Sequence, residues 1–213
     1  MALVAGPMVL VAYLLAATFW SWLHRIAAVP PGTDTDEDED AFAPSADITR
    51  PAELAEVLLV LVLTTGAEQL VRAVAPGFTF SRVASLSNQV IPVWDSAALW
   101  TGLAALAGLV APLWSRFRGG WGIAPGLALA VRYVPVVFAA AWVGFAVGLL
   151  FFRRARPAFP VALAAAVSFA WVAWVADWRP AWGVTNGPEV SLWVMICTAV
   201  LFARWYRGDV LAR

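Results

Sequence analysis

Residues 136–152, VVFAAAWVGFAVGLLFF, form an unbroken apolar run closed by Arg153, Arg154 and Arg156. A backbone in hydrocarbon must satisfy its own N–H and C=O groups, so a continuous run of this kind reads as a membrane helix. The apolar residues do not alternate with polar ones, which argues against a β-barrel. Working outward, comparable runs cover about Val4–Leu23, Pro51–Ala73, Ser96–Trp114, Pro160–Val175 and Val190–Phe202. A shorter one, Ile123–Val131, cannot span alone and is interrupted by Arg132, Tyr133 and Pro135. The expectation is an all-α polytopic membrane protein of one domain with seven helical segments, or six if the fourth and fifth fuse into one helix kinked at Pro135.

Composition agrees. Of 213 residues, 62% are hydrophobic and 13% charged, with mean hydropathy +0.78; a soluble domain carries about 25% charged residues. The first run is too long for a signal-peptide core and has no basic start, so it reads as a retained helix. Formal net charge is zero, which gives no reason to expect a nucleic acid partner. Residues 30–50 hold seven acidic residues between Asp34 and Asp47 and read as a solvated, disordered loop inside the single domain, residues 1–213. A calcium loop fails there: the sixth position is Glu39, not glycine, and the twelfth is Ser45.

All fourteen basic residues are arginines. With seven segments and the N-terminus outside, ten of them (25, 50, 116, 118, 153, 154, 156, 204, 207 and 213) face the cytoplasm, together with the C-terminus. Trp94, Trp114, Trp178 and Trp182 fall near segment ends, as an interfacial belt would have them. Trp142 and Trp174 fall mid-segment and read as packing residues. Ile48 to Glu53 reads as a helix start, with Thr49 as cap, Pro51 in the first turn, and Glu53 and Glu56 complementing the dipole. Glu68 reads as an i,i+4 partner of Arg72.

The stretch most able to hold a polar ligand is Arg116–Gly126, RFRGGWGIAPG. Gly119, Gly120 and Gly122 allow unusual backbone angles and close approach to N–H groups. A helix starting near Ile123 would aim its N–H groups and positive dipole end at an anion. Arg116 and Arg118 can hold a phosphate in bidentate fashion. The plain alternative is a glycine turn whose arginines snorkel to headgroups. Arg204, Tyr206, Arg207 and Asp209 lie on the same side, where they also read as charges closing a helix. His24, the one histidine, sits at a helix end with no oriented partner. Cys197, the one cysteine, reads as a buried thiol. One histidine and one cysteine cannot build a tetrahedral metal site, and no cofactor is expected.

AYLLAATFWSWLHR from Ala12, GLVAPLWSRFRGGWGIAPGLAL from Gly108, FFRRARPAFPVAL from Phe151 and YRGDVLAR from Tyr206 occur in an order and spacing that resemble the PlsY family, the membrane acyl-phosphate:glycerol-3-phosphate acyltransferases. The resemblance implies seven helices with the functional motifs on the cytoplasmic face of a prokaryotic inner membrane, and a break between the fourth and fifth helices. It also implies acyl phosphate and glycerol 3-phosphate as substrates, alongside membrane lipids. Phosphate binding then falls to Arg116, Arg118, Gly119, Gly120, Gly122 and Arg207, with Tyr206 and Asp209 beside them; no catalytic residue is assigned. Gly108 and Pro112 match the family's GHxFP pattern, with Leu109 in place of the histidine. Arg118 and Trp121 replace lysines, Pro125 a threonine, Tyr206 a histidine and Asp209 an asparagine; the first motif has no counterpart. A non-catalytic paralogue that binds lipid or regulates a membrane-protein partner is the alternative expectation, and a small transporter a weaker one.

Overall fold

The computed structural model describes residues 2–26, 51–74, 91–115, 120, 122–178 and 187–211. Seven α-helices lie among them: α1 (Ala2–Ile26), α2 (Pro51–Val74), α3 (Val93–Val110), α4 (Ile123–Tyr133), α5 (Pro135–Phe152), α6 (Ala155–Val175) and α7 (Pro188–Leu211). A 3₁₀ turn covers Leu113–Ser115. By length and composition α2, α3, α5, α6 and α7 can each cross a bilayer, while α4, at 11 residues, cannot. The acidic loop at residues 30–50 lies outside the described residues.

α3 is the central helix. Nearly all of its residues from Ser96 onward are buried, and α1, α2, α4 and α7 pack around it. In lipid, helices associate through close packing of small residues rather than through hydrophobic burial. α1 presents Ala12, Ala16 and Ala17, all buried, to Gly108 of α3. A Cβ at Gly108 would stand 2.5 Å from the Tyr13 carbonyl oxygen, so the two backbones meet only because no side chain separates them. The same device joins α5 to α6. Ala158, Ala162, Ala166 and Ala170 form a buried stripe on α6, and Gly144 and Gly148 of α5 lie directly against it. The outward faces of this pair, including Val143, Leu150, Phe151, Val172 and Val175, are exposed hydrocarbon suited to lipid. Trp142 corrects the sequence reading: it is 53% exposed and packs edge-on to Phe138 and Phe145 along the outer face of α5.

Helix limits differ from those expected, each for a local reason. α3 starts at Val93, with Asp95 in its first turn and Ser96 N–H bonded to Pro92 C=O at 3.0 Å. It stops at Val110 because Pro112 has no N–H to continue the ladder. α6 starts at Ala155 and runs through Pro160. Pro160 cannot donate to the Arg156 carbonyl, and the Trp205 indole N–H of α7 takes that carbonyl at 3.1 Å instead. α4 and α5 are separate helices, broken at Val134 ahead of Pro135. The fused six-helix alternative is therefore set aside.

The contacts sort the bundle into two ends. At one end lie the C-terminal parts of α1, α3, α5 and α7 and the N-terminal parts of α2, α4 and α6. At the opposite end two carboxylates are held by partners from other helices, while the Tyr133 hydroxyl is buried with no hydrogen-bond partner among the described residues. Glu68 pairs with Arg72 at 2.7 Å, as expected, and also receives Arg132 of α4 at 3.3 Å. Arg72 stacks over the Trp94 ring at 5.4 Å. Glu189 of α7 is buried and accepts hydrogen bonds from Ser96 Oγ and, at 2.9 Å, from Trp100 Nε1 of α3.

The Gly108 packing gives a direct test. Gly108→Ala should lower stability by about 1–3 kcal/mol, the usual cost of overpacking against atoms that cannot move aside. Gly66→Ala on α2, where a Cβ meets nothing within 4 Å, should raise it by about 0.5–1 kcal/mol. Thermal unfolding of the detergent-solubilised protein measures both.

Candidate phosphate site at the α3–α4 loop

The chain leaves α3 at Val110 and re-enters helix at Ile123. The last carbonyls of a helix have no partner within it. Here Leu109 C=O accepts a hydrogen bond from Gly120 N–H at 3.0 Å, and Ala111 C=O accepts one from the Tyr13 hydroxyl at 2.8 Å. The loop is thereby fastened to the end of α3. Gly122 then begins α4 with φ +69°, in the left-handed region, and a Cβ on it would lie 2.2 Å from Val110 Cγ2. Glycine is required twice over, by backbone angle and by space. α4 starts at Ile123, so its first N–H groups, which have no partner within the helix, lie at this end.

Four helices converge on Gly120. Its N–H is held by α3. Its carbonyl accepts from Arg204 Nε of α7 at 3.4 Å. Its Cα face looks onto Trp20 of α1 and Glu56 of α2: a Cβ there would lie 3.3 Å from Trp20 Nε1 and 3.4 Å from Glu56 Oε1. Beside this junction is a cavity of about 140 Å³ lined by Val110, Ala111, Val200, Ala203, Arg204 and Arg207. Its walls are hydrocarbon apart from the two guanidinium-bearing side chains. Arg153, Arg154 and Arg156 belong to the same end, through the α5–α6 turn and the Trp205 contact.

Of the residues expected from sequence, Gly120, Gly122 and Arg207 come together here. Arg116, Arg118 and Gly119 lie outside the described residues, as does the side chain of Asp209. Tyr206 is 56% exposed and stacks on Phe202, away from the cavity. Arg204, Glu56 and Trp20 are the additions. Arg204 looked like a charge closing a helix and Glu56 like a helix-dipole acid; only their helices' packing turns both inward.

A family model for glycerol-3-phosphate acyltransferases matches residues 54–210. The chain belongs to the glycerol-3-phosphate acyltransferase family. Glycerol-3-phosphate acyltransferase 2 of Bacillus cereus is 43% identical over 68 residues, 32% of this chain and 34% of that protein. Glycerol-3-phosphate acyltransferase 3 of Bacillus anthracis is 47% identical over 45 residues, 21% of this chain and 23% of that protein. The matches thus span about a third or less of the length of these curated relatives. The crystal structure of PlsY (YgiH), an integral membrane glycerol 3-phosphate acyltransferase, in its glycerol 3-phosphate form gives a TM-score of 0.58 at 19% identity, covering 97% of this chain and 90% of that one. Its lysophosphatidic acid form gives 0.56 at 19% identity, over 97% and 89%. At that identity the likeness is one of fold, a multi-pass helical membrane protein.

Within this acyltransferase-family chain, two positions where the sequence resemblance sets polar groups carry hydrocarbon. Leu109 and Pro125 are both fully buried and present nothing to a ligand.

Gly122→Ala should destabilise the protein by about 2 kcal/mol or more, combining left-handed strain with the Val110 clash. Gly126→Ala, whose Cβ would make an ordinary 3.5 Å contact with Leu201, should leave stability unchanged or raised. Paired thermal unfolding curves separate the two.

Proposed function

We propose that the protein is an integral membrane acyltransferase that moves an acyl group from acyl phosphate to glycerol 3-phosphate, forming lysophosphatidate. The supporting observation is the cavity at the loop end, apolar in its walls and carrying Arg204 and Arg207. Both proposed substrates are phosphate esters or anhydrides, and the donor also has a hydrocarbon tail. Guanidinium groups match phosphate oxygens in bidentate geometry, while Val110, Ala111, Val200 and Ala203 suit hydrocarbon. Catalysis in such a site rests on holding two reactants together and stabilising charge on the departing phosphate. The arginine bias puts this end in the cytoplasm, with the N-terminus outside, in the inner membrane of a prokaryote.

A second reading has its own support. The buried hydrocarbon at Leu109 and Pro125 favours a non-catalytic member that binds a phospholipid in the same cavity.

One assay separates them. The purified protein in phospholipid vesicles receives palmitoyl phosphate and radiolabelled glycerol 3-phosphate, and lysophosphatidate should form. Arg207→Ala should raise KM for glycerol 3-phosphate roughly tenfold or more, the effect of removing one charge-assisted hydrogen bond. No product at any protein concentration contradicts catalysis; lysophosphatidate binding that weakens in Arg207→Ala then supports the second reading.

A further inference from the structure

The α5–α6 turn carries charges that a chain reversal does not ask for. Arg153 closes α5 at φ 54° and ψ 17°, in the left-handed region, with its N–H on Leu149 C=O at 2.8 Å. Glycine makes that cap at least cost, because the Cβ of an L residue there crowds a carbonyl oxygen. Here the position holds an arginine, and Arg154 and Arg156 follow it. No acidic residue stands in the first turn of α6, where the helix dipole favours one. The turn thus gathers three guanidinium-bearing side chains within four residues, with Arg153 and Arg154 both exposed.

Hydrocarbon lies directly beside them. Leu150 is 80% exposed and Phe151 81%. α5 has 18 residues and is about 27 Å long, close to the roughly 30 Å of a bilayer's hydrocarbon core. Its end at Phe152 therefore stands where acyl chains meet headgroups, and Arg153 and Arg154 stand at the level of the lipid phosphates. These two features set the occupant. The arginines call for a phosphate, and the shelf of Leu150 and Phe151 calls for a hydrocarbon chain attached to it. Three like charges also repel the ammonium group of a zwitterionic headgroup, so the preference falls on lipids of net negative charge.

We infer that the α5–α6 turn is a docking surface for an anionic phospholipid of the bilayer. Its phosphate lies on Arg153 and Arg154, and an acyl chain runs along Leu150 and Phe151. This surface shares no residue with the cavity at the α3–α4 loop. One hydrogen bond links the two: Arg156 C=O takes the Trp205 indole N–H at 3.1 Å, and Trp205 follows Arg204 on α7. The inference holds whether or not the chain transfers acyl groups.

Native mass spectrometry of the protein released from detergent with dioleoylphosphatidylglycerol or dioleoylphosphatidylcholine tests it. The wild-type chain should bind phosphatidylglycerol more tightly than phosphatidylcholine. R153G/R154Q should weaken phosphatidylglycerol binding about 25-fold, about fivefold for each arginine removed from a membrane surface, and leave phosphatidylcholine binding unchanged. R153K/R154K, which keeps both charges, should retain most of the preference. R153G alone relieves the left-handed cap, so thermal unfolding in detergent should be unchanged or raised while phosphatidylglycerol affinity falls. That split separates a lipid contact from a folding role. Equal binding of the two lipids by the wild-type chain overturns the inference, as does an undiminished preference in R153G/R154Q. A preference seen only after deletion of residues 30–47 assigns these arginines to the acidic segment and overturns it. A dimer that R153G/R154Q dissolves and phosphatidylglycerol does not affect assigns the turn to a second copy, with the same consequence. Inorganic phosphate that displaces phosphatidylglycerol at equal concentration marks a phosphate site with no need of a lipid, and also overturns it.

Discussion

The hydrogen bond from Gly120 N–H to Leu109 C=O, 3.0 Å long, is the contact on which the rest of the loop end depends. A helix that stops inside a bundle leaves carbonyls without partners, and this bond covers one of them with the returning chain. It fixes where Gly120 stands. From that position the Gly120 carbonyl meets Arg204, and its Cα face meets Trp20 and Glu56. Two residues later the left-handed turn at Gly122 redirects the chain into α4 against Val110 and Leu106. Four helices are thereby registered on one backbone segment, and a cavity bearing two arginines is left beside it.

The two ends of the bundle hold their charged groups differently. Far from the loop, charges close on one another: Glu68 with Arg72 and Arg132, and Glu189 with Ser96 and Trp100. Such paired groups hold helices in register. At the loop end, Arg204 and Arg207 line an open cavity and Glu56 faces Gly120.

Much of the architecture was legible in the sequence because the bilayer makes it so. Apolar runs of spanning length can only be helices, and the break at Tyr133–Pro135 was visible as a charge, an aromatic and a proline in one place. Boundaries were less legible. α6 passes through Pro160 because Trp205, distant in sequence, takes the Arg156 carbonyl that the proline frees. Trp142 lies on the outer face because in lipid an exposed indole is not at a disadvantage, so mid-helix position says nothing about burial. The candidate site was legible only as residue types. Gly120, Gly122 and Arg207 declared themselves by residue type. Glu56 did not, since an acid near a helix start has an ordinary explanation, and only the approach of Gly120 shows that it faces inward. Arg204 was hidden among charges that close a helix, and its bond to the loop carbonyl depends on how α7 crosses α3.

The most direct measurement is a structure of the protein determined with glycerol 3-phosphate bound. The phosphate should lie within hydrogen-bond reach of Arg204 and Arg207 beside Gly120. A phosphate found instead at the opposite end, on Arg72 or Arg132, would contradict the assignment of function to the loop end.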